Sequence, residues 1–293
     1  MGADDLIRQA LRRGAEAGLR YSLAIPREAG VQEAGRRTGL RPGRSLDFRD
    51  YRDYVAGDDL RQVDWSVYAR TDKLTVKLFQ EELCPHADIV LDTSRSMGLE
   101  ATPKLEASVG LAAMLAVAAA NARFTVSVWI GREGRLVKVP GDAGRPESWN
   151  EVALDETLPL PRMMELQPPA FKRCGLRFLV SDLLWPGEPE GLLRRLGEGA
   201  ASFHILHLLD EADTRPDEHG FLRVVDSETD EELDLFFDEA ARARYGAALA
   251  SHMAMWADAC RKMHVTLNPV MAGEFVKAWT LDALLRAGIV EGA

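Results

Sequence analysis

Cysteine is scarce in this chain, with three in 293 residues. Cys84, Cys174 and Cys260 lie far apart and form no CxxC pair. That excludes a disulfide framework and a cysteine-built zinc site, and it fits a reducing compartment. Basic charge is also in deficit: 36 Lys and Arg stand against 46 Asp and Glu, a net charge of −10. A phosphate-binding surface needs concentrated Lys and Arg, so a nucleic-acid partner is not expected. Long apolar runs are missing too. The longest, Ala107 to Ala120, is interrupted by Ser108 and Gly110 and falls short of the about 20 residues that span a bilayer. Two acids, Asp4 and Asp5, occupy the place where a signal peptide is basic. The expectation is a cytoplasmic chain with no membrane span. No P-loop, GxGxxG or GxSxG motif occurs, and no internal repeat.

Hydrophobic residues make up 46% of the chain, enough for a sizeable core. Their spacing organises it. Leu6, Ile7, Ala10, Leu11, Ala15 and Leu19 form a helical stripe over residues 3–20. Residues 21–45, with Pro26, Pro42 and four arginines from Arg36 to Arg44, read as irregular. Residues 46–82 mix charge with aromatics and end in an alternating strand near Lys73 to Phe79. From residue 87 strands and helices alternate. Strands are predicted at Ala87–Leu91, Phe124–Ile130, Leu176–Ser181, Ser202–Leu209 and, as the last, His264–Leu267. Helices are predicted at Lys104–Asn121, Glu188–Glu198, Ala240–Lys262 and Leu281–Ala287, with one short helix near Trp149. Arg135–Val139 is read as a hairpin partner of the Phe124 strand. Within an acidic stretch, 210–239, a small hairpin is predicted from Phe221–Val225 and Glu232–Phe237. The alternation predicts an α/β protein with a mainly parallel, doubly wound sheet. The expected division is 1–85, an N-terminal helix with a charged, aromatic and β-containing subdomain, and 86–293, the α/β domain with its acidic hairpin insertion.

In such sheets ligands bind beyond the carboxyl ends of strands. Two ends carry oxygen-rich chemistry, Asp92-Thr-Ser-Arg-Ser and Ser181-Asp182. Asp92, Ser94 and Ser96 are suited to hold a hard cation, Mg²⁺ or Mn²⁺, with Asp182 as a fourth donor. The same residue types before a helix also serve as caps, and spacing alone leaves both open. His204 and His207, three apart on a strand, point to opposite faces and cannot share a metal.

Asp92-Thr-Ser-Arg-Ser-Met resembles the DxSxS signature of the von Willebrand factor A metal-ion-dependent adhesion site. Gly57-Asp-Asp-Leu-Arg-Gln-Val-Asp-Trp-Ser-Val-Tyr-Ala-Arg-Thr-Asp-Lys-Leu resembles the diagnostic stretch of domain-of-unknown-function family fifty-eight. The resemblance implies a von Willebrand factor A-like, Rossmann-type domain that binds protein and is not an enzyme. Its implied partner is a MoxR-type AAA+ ATPase or that ATPase's client, in maturation or assembly of protein complexes. It assigns Asp92, Ser94 and Ser96 to the first metal loop and Asp182 to the third. A middle-loop Thr is also required; Thr157 is the only Thr in residues 140–172, and its context lacks the usual Gly-Thr. Many relatives carry membrane helices before the motif, and this chain resembles the short, soluble members. In the upstream motif Asp58, Asp59 and Asp64 alternate with Arg61 and Arg70 around Trp65, as either an internal network or a partner surface. The alternatives to a metal-assisted module are a metal-free scaffold of the same fold and a metal-dependent hydrolase. The hydrolase lacks a second carboxylate two residues after Asp92, where Ser94 stands.

Overall fold

The computed structural model describes residues 2–24, 47–55, 63–80, 86–99 and 102–293. They fall into two compact units, residues 26–84 and the remainder. In chain order the larger unit opens with helix α1 (Ala3–Gly18) and strand β1 (Tyr21–Leu23). The smaller unit contains strand β2 (Asp47–Asp53), helix α2 (Trp65–Thr71) and strand β3 (Thr75–Gln80), with β2 and β3 antiparallel. The larger unit resumes with β4 (His86–Leu91), α3 (Lys104–Asn121), β5 (Thr125–Arg132), β6 (Arg135–Lys138), α4 (Leu160–Leu166), β7 (Leu176–Ser181) and α5 (Pro189–Gly197). It continues through β8 (Ser202–Leu209), α6 (Glu211–Thr214), β9 (Gly220–Val225), β10 (Glu232–Phe237) and α7 (Glu239–Lys262). It ends with β11 (Thr266–Met271), α8 (Ala272–Ala278), α9 (Asp282–Arg286) and β12 (Val290–Gly292).

The central sheet has six strands in the order β11-β8-β7-β4-β5-β6. Five are parallel, and β6 is an antiparallel edge formed by a hairpin with β5. The strands are apolar on both sides, as buried parallel strands must be. Ala87, Ile89, Leu91, Phe178 and Leu206 join one cluster, with residues of α1, α3, α8 and α9. Val90, Leu179, Ile205 and Trp129 join another, with residues of α4, α5 and α7. Adjacent strand residues point to opposite faces, so each strand feeds two cores.

Helix α3 is buried almost all round. It is the one described helix long and apolar enough to cross a membrane, and 83% of that window lies inside the protein. It is a core helix. The first helix packs directly on it. A Cβ at Gly14 would lie 2.5 Å from the Gly110 carbonyl oxygen, and one at Gly18 would lie 2.9 Å from that of Met114. This close approach puts α1 in the larger unit, where the sequence division at residue 85 placed it with the N-terminal subdomain.

Other differences from the sequence reading are local. The Tyr21 segment, read as irregular, pairs antiparallel with β12, so β11 is not the last strand. Three-residue strands carry too little periodicity to be read. Near Trp149 there is only a single 3-10 turn, Pro146–Ser148, and the helix of that region is α4. Its Pro161 stands in the first turn, where the missing N–H costs nothing. Helices α2 and α8 were not foreseen.

Candidate functional site

Strand β4 runs on one side into β5 and is flanked on the other by β7, so chain order reverses between β4 and β7. Such a reversal opens a crevice at the carboxyl ends of the two strands. Asp92 follows β4 and Asp182 follows β7, so both stand at that rim. The Asp92 backbone N–H donates to the Val180 carbonyl at 2.9 Å, extending the β4–β7 pairing one residue beyond β4.

The turn after β4 is tightly built. Thr93 Oγ1 accepts from the Gly131 backbone N–H at 2.9 Å, tying the turn to β5. A Cβ at residue 131 would lie 2.6 Å from that hydroxyl, so only glycine admits the contact. Ser94 forms an isolated parallel bridge with Glu156. The Asp92 carboxylate folds back on its own turn: Oδ1 accepts from the Ser94 N–H at 3.1 Å, and Oδ2 accepts from the Ser181 hydroxyl at 2.6 Å. The Ser94 and Ser96 hydroxyls lie 3.1 Å apart. Ser181 is therefore a site residue to which the sequence reading gave no role; it orients Asp92 from the neighbouring strand.

Asp92 and Asp182 are each 1% exposed, yet their surroundings differ. Lys104, at the start of α3 and also 1% exposed, donates from Nζ to Asp182 Oδ2 at 2.7 Å and contacts Asp213 Oδ2 at 3.1 Å. Burial works against the Lys104 charge, but the two carboxylates more than offset it and raise its pKa. The other Asp182 oxygen accepts from the Leu184 N–H at 3.1 Å, and the Asp182 carbonyl accepts from His207 Nε2 at 2.9 Å. Burial lowers the pKa of His207, so it donates as a neutral imidazole. Asp92, in contrast, bonds to no basic side chain among the described residues. Burial first, and the charge of Asp182 second, push its pKa up to about 6.

A second acidic element closes over this rim. The turn joining β9 to β10 is shaped by Asp226, whose Oδ1 accepts from the N–H groups of Glu228 and Thr229 at 2.9 and 2.8 Å. Arg95 Nη1, from the Asp92 turn itself, donates to both Asp230 oxygens at 3.1 Å and to the Ser227 carbonyl at 3.4 Å. Glu228 is partly buried there, and its pKa is pushed up to about 7, by burial first and then by the charges of Asp92 and Asp182.

Buried charges are paired, bound to metal or neutralised by protonation. Asp182 is paired, whereas Asp92 is not. A hard cation beside Asp92 would meet its carboxylate and the Ser94 and Ser96 hydroxyls, an all-oxygen donor set suited to Mg²⁺ or Mn²⁺. Among the described residues no three His, Cys, Asp or Glu side chains come close enough to hold a metal by themselves. Such a site therefore depends on the serines.

The structure thus gathers Asp92, Ser94, Ser96 and Asp182 at one rim. Thr157 is exposed on the adjoining loop, beside Glu156, and lines an open groove with Gly131 and Gly134. Lys104 and Glu228 went unread in the sequence. A lysine in an otherwise apolar buried helix needs a partner, which is the signal that would have found it. His204, on the opposite face from His207, stacks with Phe178 and contacts Ser202 Oγ at 2.9 Å.

Of the upstream motif, Asp58, Asp59 and Arg61 lie outside the described residues. In the smaller unit Asp64 is the N-cap of α2, accepting from the Ser66 and Val67 N–H groups. Trp65 is 56% exposed and packs edge-on against Tyr68. Arg70 Nε donates to the Ser66 carbonyl.

The comparisons agree with this motif. Residues 50–255 match the family described as "Protein of unknown function DUF58". Uncharacterized proteins of Mycobacterium bovis and of Mycobacterium tuberculosis strain H37Rv are each 24% identical over 261 residues, covering 85% of this chain and 80% of theirs. No solved structure matches the chain. The chain belongs to the DUF58 family of proteins of unknown function.

Proposed function

We propose that the larger unit is a von Willebrand factor A-like, non-enzymatic binding module that captures a protein partner with the help of Mg²⁺ or Mn²⁺. The observation that carries this reading is Asp92. It is a fully buried carboxylate bonded to no basic side chain among the described residues, held by the Ser181 hydroxyl and the Ser94 turn at the point where strand order reverses. The strand order supports the reading as well. Taken in chain sequence the six strands run 3-2-1-4-5-6, the doubly wound order, with the third strand as an antiparallel edge.

Each residue then has a task. Asp92, Ser94 and Ser96 supply the direct oxygens. Ser181 and the Ser94 amide hold the carboxylate in one orientation. Asp182, fixed by Lys104, adds negative charge without moving. A bound divalent ion would supply an electrophilic position for an acidic side chain of the partner. The partner proposed is a MoxR-type AAA+ ATPase or its client, met in the cytoplasm, with the module serving assembly or maturation of protein complexes.

A second reading has its own observation. Lys104 already neutralises Asp182, and Thr157 is turned to solvent, so a metal-free scaffold would keep the same face. A pull-down with a MoxR-type AAA+ ATPase as bait separates the two. Capture lost both in EDTA and in Asp92→Ala, with a cooperative unfolding transition retained in each, supports the ion-assisted module. Capture undiminished by either selects the scaffold.

A further inference from the structure

We propose that the β9–β10 hairpin is a docking surface for a second protein, one that presents apolar side chains among lysines and arginines. The inference goes beyond the Asp92 reading and needs no ion at that rim.

An exposed apolar face carries it. Strands β9 and β10 form a sheet of their own, apart from the six-stranded one. A two-stranded ribbon is marginal in water unless another layer covers it. One face has such cover. Leu222, Leu235 and Phe237 are half-buried there, and the Arg242 guanidinium of α7 lies 5.8 Å from the Phe237 ring centre. The opposite face lies open. Phe221 and Phe236 pair across the strands on it, with ring centres 4.8 Å apart, and they are 89% and 49% exposed. Val225 shares that face and is exposed as well, as are Val224 and Leu233 on the first face towards the turn. Single exposed apolar side chains are ordinary, but a contiguous set headed by two aromatic rings marks an interaction site.

Charge decides the occupant. Residues 210–239, which contain the hairpin, hold 13 acids against Arg215 and Arg223, a net −11, while the whole chain carries −10. The negative charge of this protein is therefore concentrated in the hairpin and its flanks. Arg223 is already engaged, with Asp234 at 2.8 Å and Glu232 at 3.4 Å on the same face as Phe221. Such a field repels anionic lipid and nucleic acid, and it repels a second copy of the chain, which brings the same charge. A basic protein surface is drawn to it, and the apolar side chains of that surface then cover the two rings.

The test places a photo-crosslinker, benzoylphenylalanine, at Phe221 of the full chain, with Leu166 as the control position. Leu166 is also apolar and 68% exposed, but it lies at the end of α4. Crosslinking is done in a lysate of the cells that make the chain, with EDTA present, so that the hairpin is read without an ion. An adduct to one protein is expected at 221 and not at 166. Mass spectrometry should map it to a stretch of that protein rich in Lys and Arg. The same protein, purified, should bind Phe221→Ser about tenfold more weakly than the wild type. Raising the salt from about 0.05 to 0.5 M should weaken wild-type binding about threefold or more. Phe221 faces solvent, so Phe221→Ser should keep the wild-type unfolding curve. The inference is overturned by the absence of a specific adduct, by an adduct to a second copy, or by one on a neutral or acidic stretch. Binding indifferent to salt or to Phe221→Ser overturns it equally. None of these outcomes bears on the Asp92 reading.

Discussion

Asp88 lies within β4 and Asp92 just past its carboxyl end, four residues on, both essentially without solvent contact. Their surroundings could hardly differ more. Asp88 accepts from Trp129 Nε1 at 2.9 Å and meets His86 Nε2 at 3.2 Å, with the Arg177 guanidinium 3.7 Å away. Burial raises its pKa, and these partners more than reverse that, so it stays ionised well below the ordinary carboxylate range. Asp92 has a hydroxyl, an amide and a like charge, and burial wins. The first has its counter-charge, and Arg177 also donates to the carbonyls of Glu198 and Lys172 at 3.2 Å, although its buried Nε has no partner among the described residues. The second has no basic side chain bonded to it among the described residues. A buried carboxylate without a counter-charge is a better pointer to function than one whose needs are met.

The contrast can be broken from either side. The largest effect is expected at Asp88. Arg177→Ala strands a buried carboxylate and should destabilise the larger unit by about 3–5 kcal/mol in urea unfolding. A loss under about 1 kcal/mol would mean that Asp88 does not depend on that charge.

The opposite sign is expected at the rim. In EDTA the folded state keeps the Asp92 proton to about pH 6, while the unfolded chain releases it near 3.8. Its contribution to stability is therefore complete below pH 3.8 and lost as pH rises through 6. Asp92→Asn should gain about 2–3 kcal/mol on the wild type between pH 4 and 7, read from unfolding curves at both pH values. Parallel pH profiles for the two proteins would show that Asp92 is not held protonated.

The smallest effect tests a third acid, in the smaller unit. Asp64 accepts from two amides at the start of α2, so Asp64→Ala should cost about 1 kcal/mol and leave Mn²⁺ binding at the rim untouched. Loss of Mn²⁺ binding in that variant would contradict its role as a helix cap.

The sheet was legible because its strands are buried on both faces. Ser202–Leu209 and Leu176–Ser181 are mostly apolar runs, broken only by His204, His207 and Arg177 besides the terminal Ser202 and Ser181, and helix α3 announces itself by composition. The short pieces were not legible: β1 and β12 exist through their mutual pairing across nearly the whole chain, which no local pattern encodes. The rim divides the same way. Asp92, Ser94 and Ser96 share one turn and could be read together, and Asp182 could be placed with them by its strand end. Glu228 sits in what reads as a solvated acidic loop, and Lys104 at the edge of an apolar helix.

What the sequence determined by itself is therefore the alternation of strands and helices and the oxygen-rich character of one turn, since both follow from neighbours along the chain. Only the tertiary structure decided which carboxylate has a cation and which does not. Charge balance in a buried site is a sum over groups brought together from 78 and more residues away, and no stretch of sequence contains that sum.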